Sequence, residues 1–233
     1  MKQNLLTIGF DADDTLWHNE RFFKLTQDRF ADLLKDHAER EHLEERLVEA
    51  ERRNIRHYGF GVKGFVLSMI ETALEVTENR VPGEVIGALM EAGRDMLAHP
   101  VELLPHARDA VEAVAGSHRL VLITKGDLMH QESKLARSGM GELFDAVEIV
   151  SDKQPVTYAR IFGAMPGGAA AAMMVGNSMK SDVLPALEAG SWGVHVPHDL
   201  AWALEHAEAP EGANRFREVP HLGNLPGLVA EIG

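Results

Sequence analysis

The sequence predicts an α/β protein: a mostly parallel sheet with helices on both faces, interrupted by an all-α insert. Three features predict it. The apolar run Leu5-Leu6-Thr7-Ile8-Gly9-Phe10 stops at Asp11. About 80 residues of helical pattern follow it without a strand signal. From near Pro100 onward, short apolar runs alternate with amphipathic stretches, as in successive βαβ units.

Each element follows from local pattern. Residues 5–10 form the first strand. Helices are expected near 20–37, 42–57, 62–79 and 83–98, with Leu43, Leu47 and Ala50 on one face of the second and Phe65, Met69, Ala73 and Val76 on one face of the third. The Gly59/Gly61/Gly64 cluster and Pro82-Gly83 break them. The charge runs Glu39-Arg40-Glu41-His42 and Glu51-Arg52-Arg53 read as solvated helix faces. Beyond Pro100, strands are expected at 119–124, 144–150, 172–175 and 193–196, with an edge strand at 216–219. Helices are expected at 128–138, 156–165 and 181–189, although Ala169–Ala172 alone would fit a helix as well as a strand. The domain reading is a core from 1–17 and 100–233, with a helical block from 18–99 tethered beside the end of the first strand.

Composition bounds the chemistry. The 233 residues are 45% hydrophobic and 25% charged, an ordinary globular balance. The absence of cysteine excludes disulfides, thiolate zinc sites and a cysteine nucleophile, and suits a reducing compartment. A net charge of -13 repels nucleic acid and anionic membrane, so neither is expected as a partner. Lys2 is basic, but Asp11 cuts short the apolar run behind it, so no leader peptide is read. No apolar run reaches the roughly 20 residues that span a bilayer. The expected location is the cytoplasm; the oligomeric state is left open.

The chemistry begins at Asp11 and Asp13, which end the first strand and precede Asp14-Thr15-Leu16. Taken alone, these residues suit a turn or a helix N-cap equally well. Two carboxylates at the carboxyl edge of a parallel sheet also lie where such folds bind ligands. Their repulsion favours a hard divalent cation between them. One carboxylate can then attack phosphorus while the other handles the leaving-group proton. Three more features follow strand ends: Thr124-Lys125-Gly126, Lys153 after Ser151-Asp152, and Gly176-Asn177-Ser178 with Asp182. Each alone reads as a cap or a solvated loop. Together they converge on one sheet edge.

This ordered set resembles the haloacid dehalogenase-like hydrolase superfamily. FDADDTL is similar to its first motif, hhhDxDxT; LVLITKG to the second; Lys153 in VSDKQPVTYARIF to the third; and VGNSMKSDVLPALEAG to the fourth, G-D-x(3–4)-D. The resemblance implies a Rossmann-like core and makes the insert a C1-type cap. The 28 residues between Thr124 and Lys153 are too few for the large cap that other members carry there. It implies Asp11 as nucleophile forming an aspartyl-phosphate and Asp13 as general acid, then base. Thr124, with Lys125 and Gly126 beside it, would bind the phosphoryl group, and Lys153 would neutralise charge. It also implies Mg2+ held by Asp11, the Asp13 carbonyl and the loop of Asn177 and Asp182. Asn177 departs from the family's usual Asp and removes one negative charge.

The expected activity is magnesium-dependent hydrolysis of a small phosphorylated metabolite. The rivals are a phosphomutase, a 2-haloacid dehalogenase, and a non-catalytic binding protein on the same core. Dehalogenases of this family carry an aromatic residue where Asp13 stands, and a retired core would have lost Asp11, Asp13 or Lys153. The turn His57–Gly64 lies between two insert helices, where such caps reach the site. Lys63 in it is a candidate contact for a substrate anion, against the bland reading of a solvated turn lysine. Trp17 and His18 read as hinge packing, and His195 and His198 form no metal spacing.

Overall fold

The structure is a computed structural model that describes residues 5–200 and 202–233. Lys2 lies outside the described residues. Six strands form one parallel sheet in the order β3-β2-β1-β4-β5-β6. These are β1 (Thr7–Phe10), β2 (Arg119–Lys125), β3 (Ala146–Val150), β4 (Ala172–Gly176), β5 (Trp192–His195) and β6 (Phe216–Glu218). β1 is central, pairing Thr7 with Arg119 and Ala172, and Phe10 with Leu122 and Val175. A strand flanked on both sides and covered on both faces reads as a near-continuous apolar run; all four residues of β1 are buried, the polar Thr7 among them.

The helices are α1 (Glu20–Leu34), α2 (Arg40–Tyr58), α3 (Val62–Val76), α4 (Gly83–Ala98), α5 (Ala107–Ala115), α6 (Leu128–Ser138), α7 (Pro155–Gly163), α8 (Leu184–Glu188) and α9 (Leu225–Ile232). Alternation along the strands splits the sheet core into two layers. Ile8, Phe10, Leu120, Leu122 and Val175 pack with Val111 and Val114 of α5 and Val229 of α9. Val121, Ile123 and Met174 pack with Tyr158, Ile161 and Phe162 of α7 and Ala186 of α8. Gly9 is glycine for space: a Cβ there would lie 3.0 Å from both Ile123 Cδ1 and Phe162 Cζ.

The chain divides into two compact units. The first comprises Met1–Glu20, Val101–Lys125 and Gln131–Gly233; the second comprises Arg21–Pro100 and Gly126–His130. The second has its own core, built from Phe30, Leu34, Leu43, Leu47, Phe65, Met69 and Leu89. Gly59 and Gly61, at φ 71° and 111°, make the turn between α2 and α3, a backbone region glycine enters at low cost. Of the run Glu51-Arg52-Arg53, Arg53 reaches Glu71 and Glu75 of α3, whereas Glu51 is buried and not on a solvated face; Arg46, outside the runs, also reaches Glu75.

Two elements are absent from the sequence reading, α5 and α9. Both are short and begin unusually. His106 precedes α5 in the left-handed region, and Pro226 opens α9. The helix read at 181–189 starts instead as a π-turn, Met179–Val183, that passes into α8. Ala169–Ala171 form a single 3-10 turn before β4. Among the described residues, no helix is long and apolar enough to cross a membrane.

Candidate active site

The parallel sheet delivers four loops to one edge of the first unit. Asp11 follows β1, its amide donating to Val175 O at 2.9 Å. Thr124 ends β2, Lys153 follows β3, and Gly176-Asn177 ends β4. Lys153 is 4% exposed, yet its ammonium lies between two carboxylates, donating to Asp11 Oδ1 and, at 2.7 Å, to Asp182 Oδ1. Burial disfavours that charge, but the charges of Asp11 and Asp182 and their hydrogen bonds raise Lys153 above the ordinary lysine range. Burial, reinforced by Asp182, pushes the Asp11 carboxyl up to about 7 against the pull of Lys153.

Asp182 is held on both oxygens. Oδ2 accepts from the Ser178 amide at 2.9 Å. Its carboxylate fills the space a Cβ on Gly176 would take, so glycine at the end of β4 is required by packing. The π-turn aims the group inward: the amides of Asp182 and Val183 both donate to Ser178 O, at 2.9 and 3.2 Å. Such turns recur at functional sites.

The Thr15 hydroxyl lies 3.1 Å from Asp11 Oδ2 and accepts from the Asn177 amide N–H at 3.0 Å. The side-chain amide of Asn177 ends 3.2 Å from Asp11 Oδ2 and 3.1 Å from the Asp13 carbonyl oxygen. With nitrogen on that side, the amide donates to these acceptors. With oxygen there, three oxygens converge. Their spacing is close to the roughly 2.9 Å edge of an octahedron with magnesium–oxygen bonds near 2.1 Å. The donor set, a carboxylate, a backbone carbonyl and an amide, fits a hard cation. Among the described residues, no three His, Asp or Glu side chains are grouped to hold a metal. Any such site is therefore of this mixed kind.

Asp13 is engaged by residues the sequence reading did not assign to the site. Lys134 of α6 donates to both its oxygens, at 2.6 and 2.7 Å. The Trp17 indole N–H donates to Oδ1 at 2.7 Å, and Gln131 to Oδ2 at 3.1 Å. Burial works against the charge, but Lys134, then Gln131 and Trp17, hold Asp13 below the ordinary carboxylate range. Gln131 also donates to Thr124 Oγ1 at 2.6 Å, linking the first and second motifs. Trp17, read as hinge packing, is buried and also a donor to the site.

Lys125 lies beside Thr124, but its ammonium is bonded to Glu205 and, at 2.8 Å, to Ser181 Oγ. The other Glu205 oxygen accepts from Ser178 Oγ at 2.7 Å and from Ser181 Oγ. Burial opposes the Glu205 charge; Lys125 and the two hydroxyls outweigh it and lower Glu205 below the ordinary range. Gly126 has φ 137° and is grouped with the second unit. Lys63, in that same unit, donates to Asp127 at 2.8 Å. Asp127 also accepts the His130 amide and so starts α6. One signal for Gln131 and Lys134 stood in the sequence. They are polar residues three apart, so one helix face carries both; that this face turns inward is visible only in the fold, where both are buried. Glu205 gives no such signal.

Residues 5–190 match the family model for haloacid dehalogenase-like hydrolases. Pyrimidine 5'-nucleotidase YjjG of Escherichia coli (strain K12) is 28% identical over 153 residues, which span 62% of this chain and 64% of that protein. The match therefore spans less than two thirds of that relative's length. A haloacid dehalogenase-like family hydrolase from Xanthomonas campestris is 41% identical. Its crystal structure superposes with a TM-score of 0.88, covering 99% of this chain and 92% of that one. The HAD-hydrolase YfnB of Bacillus subtilis, solved with bound magnesium, has a TM-score of 0.68 at 15% identity, covering 97% and 99%. At that identity the likeness concerns the fold alone.

Proposed function

Because the chain belongs to the haloacid dehalogenase-like hydrolases, we propose that this hydrolase cleaves small phosphomonoesters with magnesium, through a phosphoryl group carried on Asp11. The observation that carries the reading is the pair Asp11 and Asp13, each met by its own buried lysine, Lys153 and Lys134. Asp11 presents a carboxylate to phosphorus, with Lys153 offsetting charge on it and on the incoming group. Thr124 Oγ1, at the end of β2, takes a phosphoryl oxygen. Asp13, held ionised by Lys134, must first take up a proton from solvent; it then passes that proton to the leaving oxygen and, ionised again, draws the proton from the water that cleaves the aspartyl-phosphate. When bound, magnesium supplies positive charge that offsets the phosphoryl oxygens. Asp11 Oδ2, the Asp13 carbonyl and the Asn177 amide oxygen would hold it. Asp182, with both oxygens engaged by Lys153 and Ser178, is assigned to positioning Lys153.

The helical unit is proposed as a cap that selects substrate, with Lys63 and its glycine-rich turn as candidate contacts. The nucleotidase relative makes pyrimidine nucleoside monophosphates the first substrates to test, ahead of other phosphorylated metabolites. A carboxylate at position 13 favours phosphate chemistry over dehalogenation, which gives a leaving halide no use for a proton donor. The test is hydrolysis of an aryl phosphate and of a nucleoside monophosphate panel with and without magnesium. Turnover abolished by EDTA and restored by Mg2+ is expected. Turnover unaffected by EDTA, or chloride release from 2-haloacids without phosphate release, would overturn the reading.

A further inference from the structure

The two catalytic carboxylates differ in how they are held. Asp11 has Lys153 on one oxygen and the Thr15 hydroxyl near the other. Asp13 carries four contacts: Trp17 and Lys134 on Oδ1, Lys134 and Gln131 on Oδ2. An ionised carboxylate offers about four lone-pair directions, so these contacts fill them. Asp13 can meet a leaving oxygen or a water only by giving one up. Three of the four are short: Trp17 at 2.7 Å and Lys134 at 2.6 Å on Oδ1, and Lys134 at 2.7 Å on Oδ2. The longest, 3.1 Å, is Gln131 on Oδ2. Gln131 is also the donor with another seat at hand, because the same nitrogen lies 2.6 Å from Thr124 Oγ1 and 3.1 Å from Lys125 O.

We propose that Lys134 is a positioning residue that, with the Trp17 indole, holds the Asp13 carboxylate so that Oδ2 is the oxygen that works: Lys134 stays bonded to it, and its remaining position opens when Gln131 withdraws onto Thr124. The proposal rests on the acid–base role given to Asp13 above. Its geometry is that of a pivot. Lys134 is buried and bridges both oxygens, and Asn19 Oδ1 at 3.2 Å steadies the ammonium from another side. A lysine has three donors on a flexible stem, so it can follow a small turn of the carboxylate without letting go. Lys134 and Gln131 lie on one face of α6, which therefore presents the fixed anchor and the yielding donor together.

The test uses the full chain with Mg2+ and compares Lys134→Met, Lys134→Arg, Trp17→Phe and Asp13→Asn with Lys134→Met/Asp13→Asn. Substrates are an aryl phosphate, whose leaving group needs little protonation, and an alkyl phosphate, which needs much. Expected for Lys134→Met is a kcat loss on the order of ten-fold or more with the alkyl phosphate, smaller with the aryl phosphate. KM should change by less than about two-fold, since no substrate contact is removed. Lys134→Arg, which keeps a cation able to bridge both oxygens, should recover part of kcat. In the Asp13→Asn background, Lys134→Met should cost nothing further, because it acts only through Asp13. Should Lys134→Met not fold, Trp17→Phe reads the same anchor and should show the same split between kcat and KM. An active wild type with unchanged kcat in Lys134→Met or in Trp17→Phe overturns the proposal. So does an equal loss in the Asp13→Asn background. A wild type that hydrolyses neither phosphate overturns instead the acid–base role on which the proposal stands.

Discussion

Asp11 sits in a place that costs it its charge: burial and the neighbouring Asp182 push its carboxyl from 3.8 to about 7. A raised folded value means the folded chain holds the proton more tightly than the unfolded one, so stability falls as pH rises through that window. Asn at this position has no such proton to lose. Asp11→Asn should therefore lose turnover on the order of a thousand-fold or more while staying folded. Its melting temperature should gain on the wild type between pH 5 and pH 8. A variant that keeps near wild-type rates would remove the covalent route. The same group would make the proposed cation binding pH-dependent, because a metal and a proton compete for one carboxylate. Magnesium affinity measured by calorimetry should rise as pH rises through about 7 and flatten above it; a flat profile from pH 5.5 to 8 would exclude Asp11 as a ligand. At this scale, the residues legible in the sequence were those at strand ends. Asp11, Thr124, Lys153 and Asn177 stand where strands end, with Asp182 in the turn that follows β4, and topology alone brings strand ends together. Lys134 and Gln131 were hidden because a helix face is read by its apolar members. Glu205 was hidden because no local pattern connects a loop to a site far back along the chain.

The elements explain how such polar groups stay buried. β4 ends in Gly176, and the missing side chain is where the Asp182 carboxylate lies between the Lys153 ammonium and the Ser178 amide. Gly176→Ala should displace that carboxylate, lower the melting temperature by several degrees and cut turnover, since Lys153 would lose one of its two anchors. Gly163, at the end of α7, has open space around its Cβ position, and Gly163→Ala should leave both properties within error. Equal behaviour of the two variants would sink the packing argument. The strands were readable because a parallel strand buried on both faces is a continuous apolar run, and LVLIT and MMV are such runs. The long insert helices were readable from period alone. α5 and α9 were not: fewer than three turns give the period little length to show, and neither is placed by a strand on each side, as the equally short α7 is by β3 and β4. The π-turn was read as ordinary helix because a widened turn leaves no mark in composition.

At the scale of the whole chain, the two units carry separate hydrophobic cores. One is spread across both faces of the sheet and the other lies among α1 to α4. Every group proposed to hold magnesium belongs to the first unit. A ligand stabilises only what must be folded to bind it, so magnesium should protect the first unit by mass action. A core truncation in the second unit should weaken that unit alone. Phe65 is the place to make it: it is 3% exposed and its ring lies 5.0 Å from that of Phe23. Phe65→Ala should cost about 3–5 kcal/mol locally, enough to lower the melting of an 80-residue unit by more than about 10 °C. Calorimetry of this variant should then resolve two transitions where the wild type shows one broad or merged peak. Added magnesium should raise the upper transition and leave the lower unmoved. Magnesium affinity measured below the lower transition should match the wild type. A single transition, shifted down by Phe65→Ala and up by magnesium as one, would mean that the helical unit and the sheet unit unfold together, and that the substrate selection proposed for the one cannot be separated from the stability of the other.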